Sequence, residues 1–133
     1  MRILIVGEGP GADAVGEGLE ASGVEVERRA DDPPPADGAQ EIGEIANDLR
    51  ELERALGDRG ADAVLIASDS PAALAAVVVA KRAGIPVARL EVSGGGVGEG
   101  ANAHLIRQLA DAALAPDPAA IAEWARDGYP ARA

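Results

Sequence analysis

The sequence contains no cysteine, no phenylalanine and only one histidine among its 133 residues. Without cysteine the chain has no disulfide and no thiolate for catalysis or zinc binding, and one histidine is too few for a histidine-based metal site. Trp124 and Tyr129 are the only aromatic residues, so no aromatic platform is available for stacking bases or sugars. We therefore predict neither a metal nor a cofactor.

Positive charge is also scarce. Twelve lysines and arginines face 23 aspartates and glutamates, for a net charge of −11. Such a charge repels nucleic acids and anionic membranes, so we expect neither as a partner. Charged or turn residues interrupt every apolar run before it could span a bilayer, and the sequence shows no signal peptide. The expectation is a soluble, cytoplasmic protein.

Residues 62–91 organise the rest of the sequence. The short apolar run at residues 63–67 is typical of a strand buried on both faces. A helix is predicted over residues 71–83, because N-cap residue types precede Pro71 and a glycine follows the last turn. Residues 87–92 form a second strand. The short connections predict a right-handed unit of two parallel strands and one helix.

Polar side chains follow both strands of this unit. Ser68, Asp69 and Ser70 come after the first strand, and Glu91 lies at the end of the second. Open α/β sheets bind their ligands outside the carboxyl ends of neighbouring parallel strands. Asp69 also suits helix capping, which needs no further function, whereas a carboxylate at Glu91 has no structural purpose. We expect Glu91 to be buried, where desolvation favours the protonated carboxyl of a general acid or base.

The remaining periodicity predicts three more strands and four more helices. The strands are residues 2–6, 24–28 and 112–115, and the helices are residues 11–22, 40–56, 101–113 and 117–127. Strands that alternate with helices predict a single Rossmann-like domain over residues 1–133, with a doubly wound parallel sheet of five strands in the order 3-2-1-4-5. Residues 128–133 are expected to be a frayed tail or a stub.

The first strand ends in a glycine-rich turn. Gly7, Gly9 and Ala12 fit the G-x-G-x-x-A pattern of a dinucleotide-binding turn, although glycines also serve any tight strand–helix turn. Pro10 removes one amide from an anion-binding turn. NAD binding would also require an acid near the end of the second strand, and Glu27 qualifies by its position. The pattern leaves both a nucleotide-binding and a purely structural role open.

The central and carboxy-terminal parts of the chain resemble the non-hydrolysing UDP-N-acetylglucosamine 2-epimerases. The segments AVLIASDS and GIPVARLEV, with an alanine-rich helix between them, are similar to the family's VLVHGDT and GIPVAHVEAG. The segment GEGANAHLIRQLADAALAPD is similar to PEE-x-NR, L-x-x-x-LAD and FAPT in the same order. The resemblance covers roughly half of the chain.

This resemblance implies functional roles for matching residues. Asp69 matches the aspartate of HGDT, Glu91 the glutamate of VEAG, Glu99 the first glutamate of PEE, and Asn102 the asparagine of NR. In the family, carboxylates remove and return the proton at C2 of the sugar while UDP is expelled and re-added, which implies catalytic roles for Asp69, Glu91 and Glu99. The expected ligand-binding residues are Gly7, Gly9, Ser68, Ser70 and Asn102.

Other positions depart from the family. Gly9, Ala67, Gly100 and Ala103 stand where the family has arginine, histidine, glutamate and arginine. The chain also corresponds only to the amino-terminal half of a two-domain enzyme. The resemblance thus implies a half-domain without independent catalysis, which binds a UDP-sugar weakly or completes a cleft with a separate partner domain or another copy in a homo-oligomer. The alternatives are a non-enzymatic, self-associating domain and a dinucleotide-binding domain.

Overall fold

The computed structural model describes residues 1–31, 41–57, 60–91 and 100–131. In this part of the chain, five strands alternate with five helices, which confirms the predicted α/β class. The strands are β1 (Arg2–Val6), β2 (Glu25–Arg29), β3 (Ala63–Ile66), β4 (Val87–Leu90) and β5 (Ala112–Leu114). The helices are α1 (Pro10–Ala21), α2 (Glu41–Leu56), α3 (Pro71–Ala83), α4 (Ala101–Leu109) and α5 (Pro118–Arg126). None of these described helices is both long and apolar enough to span a bilayer.

All five strands are parallel, and they lie in the order β2-β1-β3-β4-β5. The predicted order 3-2-1-4-5 is wrong, because it places the third strand at an edge. All four residues of β3 are fully buried, and such a strand needs a neighbour on each side and helices on both faces. Strand β2 has the sequence EVERR and is largely exposed, so it suits the edge.

Side chains alternate between two apolar cores, one on each face of the sheet. Leu4 and Val6 of β1 point into the core beneath α2, α3 and α4. Ile3 and Ile5 point into the core beneath α1 and α5, which contains Trp124. This two-period alternation, with helices on both faces, is the doubly wound arrangement that the sequence predicts.

Helix α3 has the predicted bounds, because the signals at both ends are local. Ser70 Oγ accepts a hydrogen bond from the Ala73 N–H at 3.2 Å, and Pro71 occupies the first helical position. Gly84 ends the helix in the left-handed conformation, at φ 74°. The N-cap hydroxyl therefore fixes the point at which the chain leaves β3 and enters α3.

Residues 128–130 are held against α5, so the expectation of a frayed tail is wrong for them. Trp124 Nε1 donates a hydrogen bond to the Pro130 carbonyl at 2.9 Å, and the Tyr129 ring meets the Trp124 ring edge-on at a centroid distance of 5.0 Å. Burial raises the pKa of the Tyr129 phenol, and the negative charge of Asp62 raises it further. The last turn of α5 and this short segment thus form one packed unit.

Candidate functional site

The carboxyl ends of β1 and β3 meet where the chain reverses its direction across the sheet. From β1 the chain passes through α1 to β2 on one side, whereas β3, β4 and β5 follow on the other. A sheet of this order binds ligands at this reversal. We call this region the switch-point crevice, and its described residues are Gly7, Gly9, Asp31, Ser68, Asp69, Ser70 and Asn102.

The hydroxyl of Ser68 lies at the centre of a hydrogen-bond network in the switch-point crevice. Ser68 Oγ donates to Asp31 Oδ1 at 2.5 Å and lies 3.2 Å from Ser70 Oγ, with which it shares a hydrogen bond. The Ser70 N–H approaches the same oxygen at 3.5 Å. Because Ser70 is in turn held by the first turn of α3, the two predicted serines and Asp31 form a fixed polar surface.

The glycine turn after β1 leaves the backbone room that this network needs. Gly7 has φ 116°, and a Cβ at this position would lie 3.0 Å from Ser68 N, Ser68 Oγ and the Ala67 carbonyl carbon. Gly9 has φ 132°, but a Cβ there would meet no atom within 4 Å. Both residues require glycine for their backbone conformation, and only Gly7 also requires it for close approach. Their contact with a ligand stays a prediction.

Asp69 is not the cap of α3, because Ser70 occupies that position. The capping role considered for Asp69 is therefore wrong, and its half-buried carboxylate lies at the carboxyl edge without that structural task. The backbone carbonyl of Asp69 accepts a hydrogen bond from Asn102 Nδ2 at 3.3 Å. Asn102 thus ties the start of α4 to the turn after β3, so this predicted residue also lies at the crevice.

Glu91 lies one residue beyond β4, at the same edge of the sheet as Asp69. Strands β3 and β4 pair in parallel, which confirms that the two acids follow neighbouring strands. The expected burial of Glu91 is wrong: its side chain is 58% exposed, and Oε1 lies 3.9 Å from Arg89 Nη2. Its backbone N–H donates to the Leu114 carbonyl at 2.8 Å, so the backbone is fixed while the carboxylate faces solvent. Glu99 lies outside the described residues.

Arg29, the cation at the end of β2, is ion-paired within the protein. Arg29 Nη2 forms ion pairs with two residues of α2, namely Glu51 and, at 3.5 Å, Oδ1 of the buried Asp48. Burial alone lowers the pKa of Arg29, but the hydrogen bonds and charges of Glu51 and Asp48 outweigh it and raise the pKa above its ordinary value. Arg29 therefore anchors α2 to the sheet.

Asp31 is the crevice residue that the sequence analysis missed. Glu27, the acid assigned there to the end of β2, is exposed in mid-strand, where it pairs with Leu4 of β1. Asp31 follows the strand and reaches Ser68. The available signal is its position as the first acid after an edge strand, at the start of the proline-rich segment DDPPPADG.

The described crevice is suited to hydroxyl groups rather than to phosphate. Its side chains offer two serine hydroxyls, two carboxylates and one amide, which together both donate and accept hydrogen bonds. A phosphate would face the charges of Asp31 and Asp69, and Pro10 supplies no N–H at the start of α1. The arrangement can bind a polyol and position carboxylates beside it.

No protein-family model matches the chain, and no curated protein is similar to it in sequence. Solved structures are nevertheless similar in fold. The S. aureus MnaA–UDP co-structure has a TM-score of 0.67 at 19% identity, over 96% of this chain and 41% of that one. The Methanocaldococcus jannaschii UDP-GlcNAc 2-epimerase in complex with UDP-GlcNAc and UDP has a TM-score of 0.68 at 19% identity, over 100% and 46%. The chain has the fold of part of a UDP-GlcNAc 2-epimerase.

The resemblance inferred from the sequence motifs is thereby confirmed at the level of fold. Acinetobacter baumannii MurG is also similar, with a TM-score of 0.62 at 19% identity, over 84% of this chain and 39% of that one. The chain spans less than half the length of these proteins. The shared architecture thus belongs to one portion of each larger protein.

Proposed function

We propose that this chain forms the sugar-side half of a UDP-sugar site and that catalysis needs a second domain or a partner chain. The observation that carries the proposal is the hydrogen-bonded group of Asp31, Ser68 and Ser70 at the switch point of this fold. Related folds include an epimerase in complex with UDP-GlcNAc and UDP, and MnaA in complex with UDP. The proposal extends that ligand class to this chain.

The chemistry of the crevice favours the sugar over the diphosphate. A sugar presents hydroxyl groups that can donate to Asp31 and Asp69 and accept from the serines, whereas a diphosphate needs cations or clustered amides. Arg29, the cation at the end of β2, is already ion-paired with α2. The second half of the site would therefore supply the positive charge for the diphosphate, which explains why this half alone would bind weakly.

Asp69, Glu91 and Glu99 are the proposed catalytic carboxylates. Asp69 and Glu91 follow adjacent parallel strands, so both stand at the edge where the sugar would lie. In the solvent-exposed state of the isolated chain, Glu91 is not desolvated. Closure by a second domain would exclude water from the sheet edge where Asp69 and Glu91 stand. On this view the single chain is inactive because one wall of the site is missing.

The test is an NMR titration of the ¹⁵N-labelled chain with UDP-GlcNAc, with UDP and with N-acetylglucosamine. We expect the two sugar-containing ligands to shift the amides of residues 7–9 and 68–70, with a millimolar dissociation constant for UDP-GlcNAc. Asp69→Asn should weaken this binding at least fivefold, because it removes the charge that accepts a sugar hydroxyl. Glu123→Gln, which changes one exposed acid on α5, is the matched control and should bind like the parent chain.

A coupled epimerase assay completes the test. The isolated chain should show no turnover of UDP-GlcNAc, and robust turnover would contradict the requirement for a second half. If UDP alone shifts the crevice amides while N-acetylglucosamine does not, the assignment of this half to the sugar is wrong. Absence of saturable binding by all three ligands would remove the proposed function.

Self-association is a second proposal. Ile42 on α2 and Leu105 on α4 are 75% and 44% exposed, and with Met1 they are the exposed large apolar side chains of the described residues. Both helices pack against α3, so the two exposed side chains lie on the same face of the sheet. Sedimentation velocity from about 1 to 100 µM, roughly the range in which weak dimers assemble, would detect a homo-oligomer. A monomer throughout this range would contradict the proposal.

A further inference from the structure

A groove lies at the amino ends of β3 and β4, on the edge of the sheet opposite the switch-point crevice. Strand β3 is four residues long, so about 13 Å of sheet separates the two regions. A second cavity of about 240 Å³ continues the groove past residues 84–86 to Lys81 and Asp111. We call the two cavities together the Tyr129 groove. The first cavity encloses about 210 Å³, and its lining residues are Ala61, Asp62, Gly84, Ile85, Pro86 and Tyr129.

Tyr129 forms a fixed aromatic wall that both cavities share. Its N–H donates to the Trp124 carbonyl at 2.9 Å, and its ring meets the fully buried Trp124 ring edge-on at a centroid distance of 5.0 Å. The backbone of Tyr129 has φ 57°, a left-handed conformation that is uncommon for any residue other than glycine. Because these contacts hold the ring in place, it loses little conformational freedom when a ligand binds.

Asp62 gives one end of the groove a negative charge. Its Oδ2 accepts a hydrogen bond from the Arg2 backbone N–H at 2.7 Å, whereas the Arg2 guanidinium pairs with Glu25 at 3.4 Å. Within the part of the chain that the structure describes, the Asp62 carboxylate forms no ion pair. Its charge nevertheless acts on Tyr129, because it adds to the effect of burial in raising the pKa of the phenol.

The other end of the groove is electrically balanced. Lys81 Nζ donates a hydrogen bond to Asp111 Oδ1 at 2.5 Å, and Asp111 Oδ2 accepts a second one from the Val87 N–H at 2.9 Å. These two charges cancel, so the net charge of the groove is that of Asp62 alone. A charged ligand group would therefore be positive and would lie at the Asp62 end.

The turn at residues 84–86 forms a floor without available N–H groups. The Gly84 N–H donates to the Lys81 carbonyl at 3.3 Å, and the Ile85 N–H donates to the Ala80 carbonyl at 2.8 Å. Pro86 has no N–H. An anion would find no backbone donor on this floor, whereas the aliphatic side chains of Ile85 and Pro86 suit the apolar part of a ligand.

We propose that the Tyr129 groove binds a primary ammonium group on a short aliphatic chain, with the ammonium between Asp62 and the Tyr129 ring. The site is separate from the proposed sugar site and does not depend on it. An ammonium pairs with a carboxylate and is attracted to an aromatic ring, and the net charge of −11 favours the approach of cations. One carboxylate and one phenol are too few ligands for a metal ion, so an organic cation fits better.

The experiment titrates the ¹⁵N-labelled chain with butylammonium chloride and, separately, with 1-butanol, while sodium chloride keeps the ionic strength constant. We expect butylammonium to cause saturable shifts of the amides of residues 61–62, 84–85 and 129, with little change at residues 7–9 and 68–70. Butanol has the same chain without the charge and should bind about five- to tenfold more weakly. This comparison uses the parent chain and is independent of the stability of any variant.

Variants then separate the contributions of the charge and of the ring. Asp62→Asn keeps an acceptor for the Arg2 N–H and should weaken butylammonium binding about five- to tenfold. Glu17→Gln, which changes an exposed acid of α1, is the control and should stay within about twofold of the parent. Tyr129→Leu should weaken binding about two- to fivefold, whereas Tyr129→Phe keeps the ring and should bind like the parent.

The source of the ammonium group is tested with Nα-acetyl-lysine amide. Binding as tight as that of butylammonium would assign the groove to a lysine side chain of a protein partner, and weaker binding would assign it to a free amine. Equal binding of butanol and butylammonium would overturn the proposal. So would shifts that grow linearly with amine concentration, or unchanged binding in Asp62→Asn with a native amide spectrum.

Discussion

Alanine substitutions at Gly7 and Gly9 separate two effects of a side chain in the glycine turn, which are close contact with Ser68 and backbone strain. In Gly7→Ala, the backbone at residue 7 would keep a φ of 116°, which is unfavourable for alanine. The new Cβ would also lie 3.0 Å from three atoms, two of which are backbone atoms that cannot rotate away. Backbone strain costs about 1–3 kcal/mol, and overpacking adds about 1–3 kcal/mol. We expect the free energy of unfolding to fall by the sum of the two costs, about 2–6 kcal/mol.

Gly9→Ala is the matched control, because it has the strain without the close contact. Its φ of 132° is equally unfavourable for alanine, but its Cβ would meet no atom within 4 Å. The expected loss is the strain alone, about 1–3 kcal/mol. Only Gly7→Ala should also push Ser68 Oγ away from Asp31 and weaken the binding of UDP-GlcNAc.

Urea unfolding followed by circular dichroism measures both losses, and the NMR titration measures binding in the fraction that remains folded. The difference between the two variants should be about 1–3 kcal/mol, the overpacking cost alone. Equal losses of stability would show that the contact with Ser68 does not constrain the turn. Unchanged binding in Gly7→Ala would separate the Ser68 network from ligand recognition.

Two further predictions concern α1 and the carboxy-terminal segment. Gly18→Ala should destabilise the chain by about 1–3 kcal/mol, because its Cβ would overlap Pro118 Cγ where α1 meets α5. Gly16→Ala should instead stabilise it by about 0.5–1 kcal/mol, since the atom nearest to its Cβ is at the far end of the long Arg28 side chain, 3.4 Å away. Urea unfolding of both variants checks the contrast. Because burial raises the pKa of Tyr129 above 10.0, the neutral phenol contributes stability below that pH, and this contribution is lost as the pH rises through the folded-state pKa. Tyr129→Phe should therefore lose less stability than the parent between pH 9 and 12, roughly the range that brackets a tyrosine titration.

The sequence predicts the elements that depend on local signals. Ser70, Pro71 and Gly84 specify both ends of α3, and the predicted bounds of this helix agree with the structure. The other helices and strands agree to within a few residues at their ends, because fraying and short strands leave their boundaries weakly specified. Fold class follows from this alternation of elements and needs no knowledge of distant contacts.

Sheet order is harder to predict, because it depends on which way the chain crosses the sheet after β2. The connection includes a proline-rich segment and α2, and no local signal sets its direction. The burial pattern nevertheless contained the answer, since the apolar β3 requires a central place and the charged β2 an edge. Asp69 and Glu91 could be placed on one edge even though the order was wrong, because the short connections around α3 require β3 and β4 to be parallel.

The candidate site is predicted only in part. Ser68, Ser70 and Asn102 meet at the crevice because they flank elements that the sequence defines well. Asp31 was missed because its contact with Ser68 joins residues that are 37 positions apart. The exposure of Glu91 was missed because it depends on where β4 ends, and strand ends are not sharply specified by an apolar pattern.

Arg29 could stabilise the fold or bind a phosphate of the ligand, and substitution of its guanidinium distinguishes the two roles. Its guanidinium is 29% exposed and pairs with the buried Asp48 and with Glu51, so it connects the end of β2 to α2. Arg29→Gln would leave Asp48 without this cation and should lower the free energy of unfolding by about 1–3 kcal/mol, below the 3–5 kcal/mol typical of fully buried pairs because water partly screens the guanidinium.

A double-mutant cycle decides the matter. The double variant Arg29→Gln/Asp48→Asn should lose at least about 0.5 kcal/mol less unfolding free energy than the sum of the two single variants. The reason is that Asp48→Asn removes the buried negative charge that Arg29→Gln leaves without the Arg29 cation. Arg54→Gln, in the last turn of α2, should change stability by less than about 0.5 kcal/mol. Binding of UDP-GlcNAc to Arg29→Gln should stay within twofold of the parent, because the proposed sugar side of the site does not use this cation. A variant that keeps its stability but loses UDP-GlcNAc binding would instead place a phosphate beside Arg29, and the division of the site between a sugar half and a diphosphate half would be wrong.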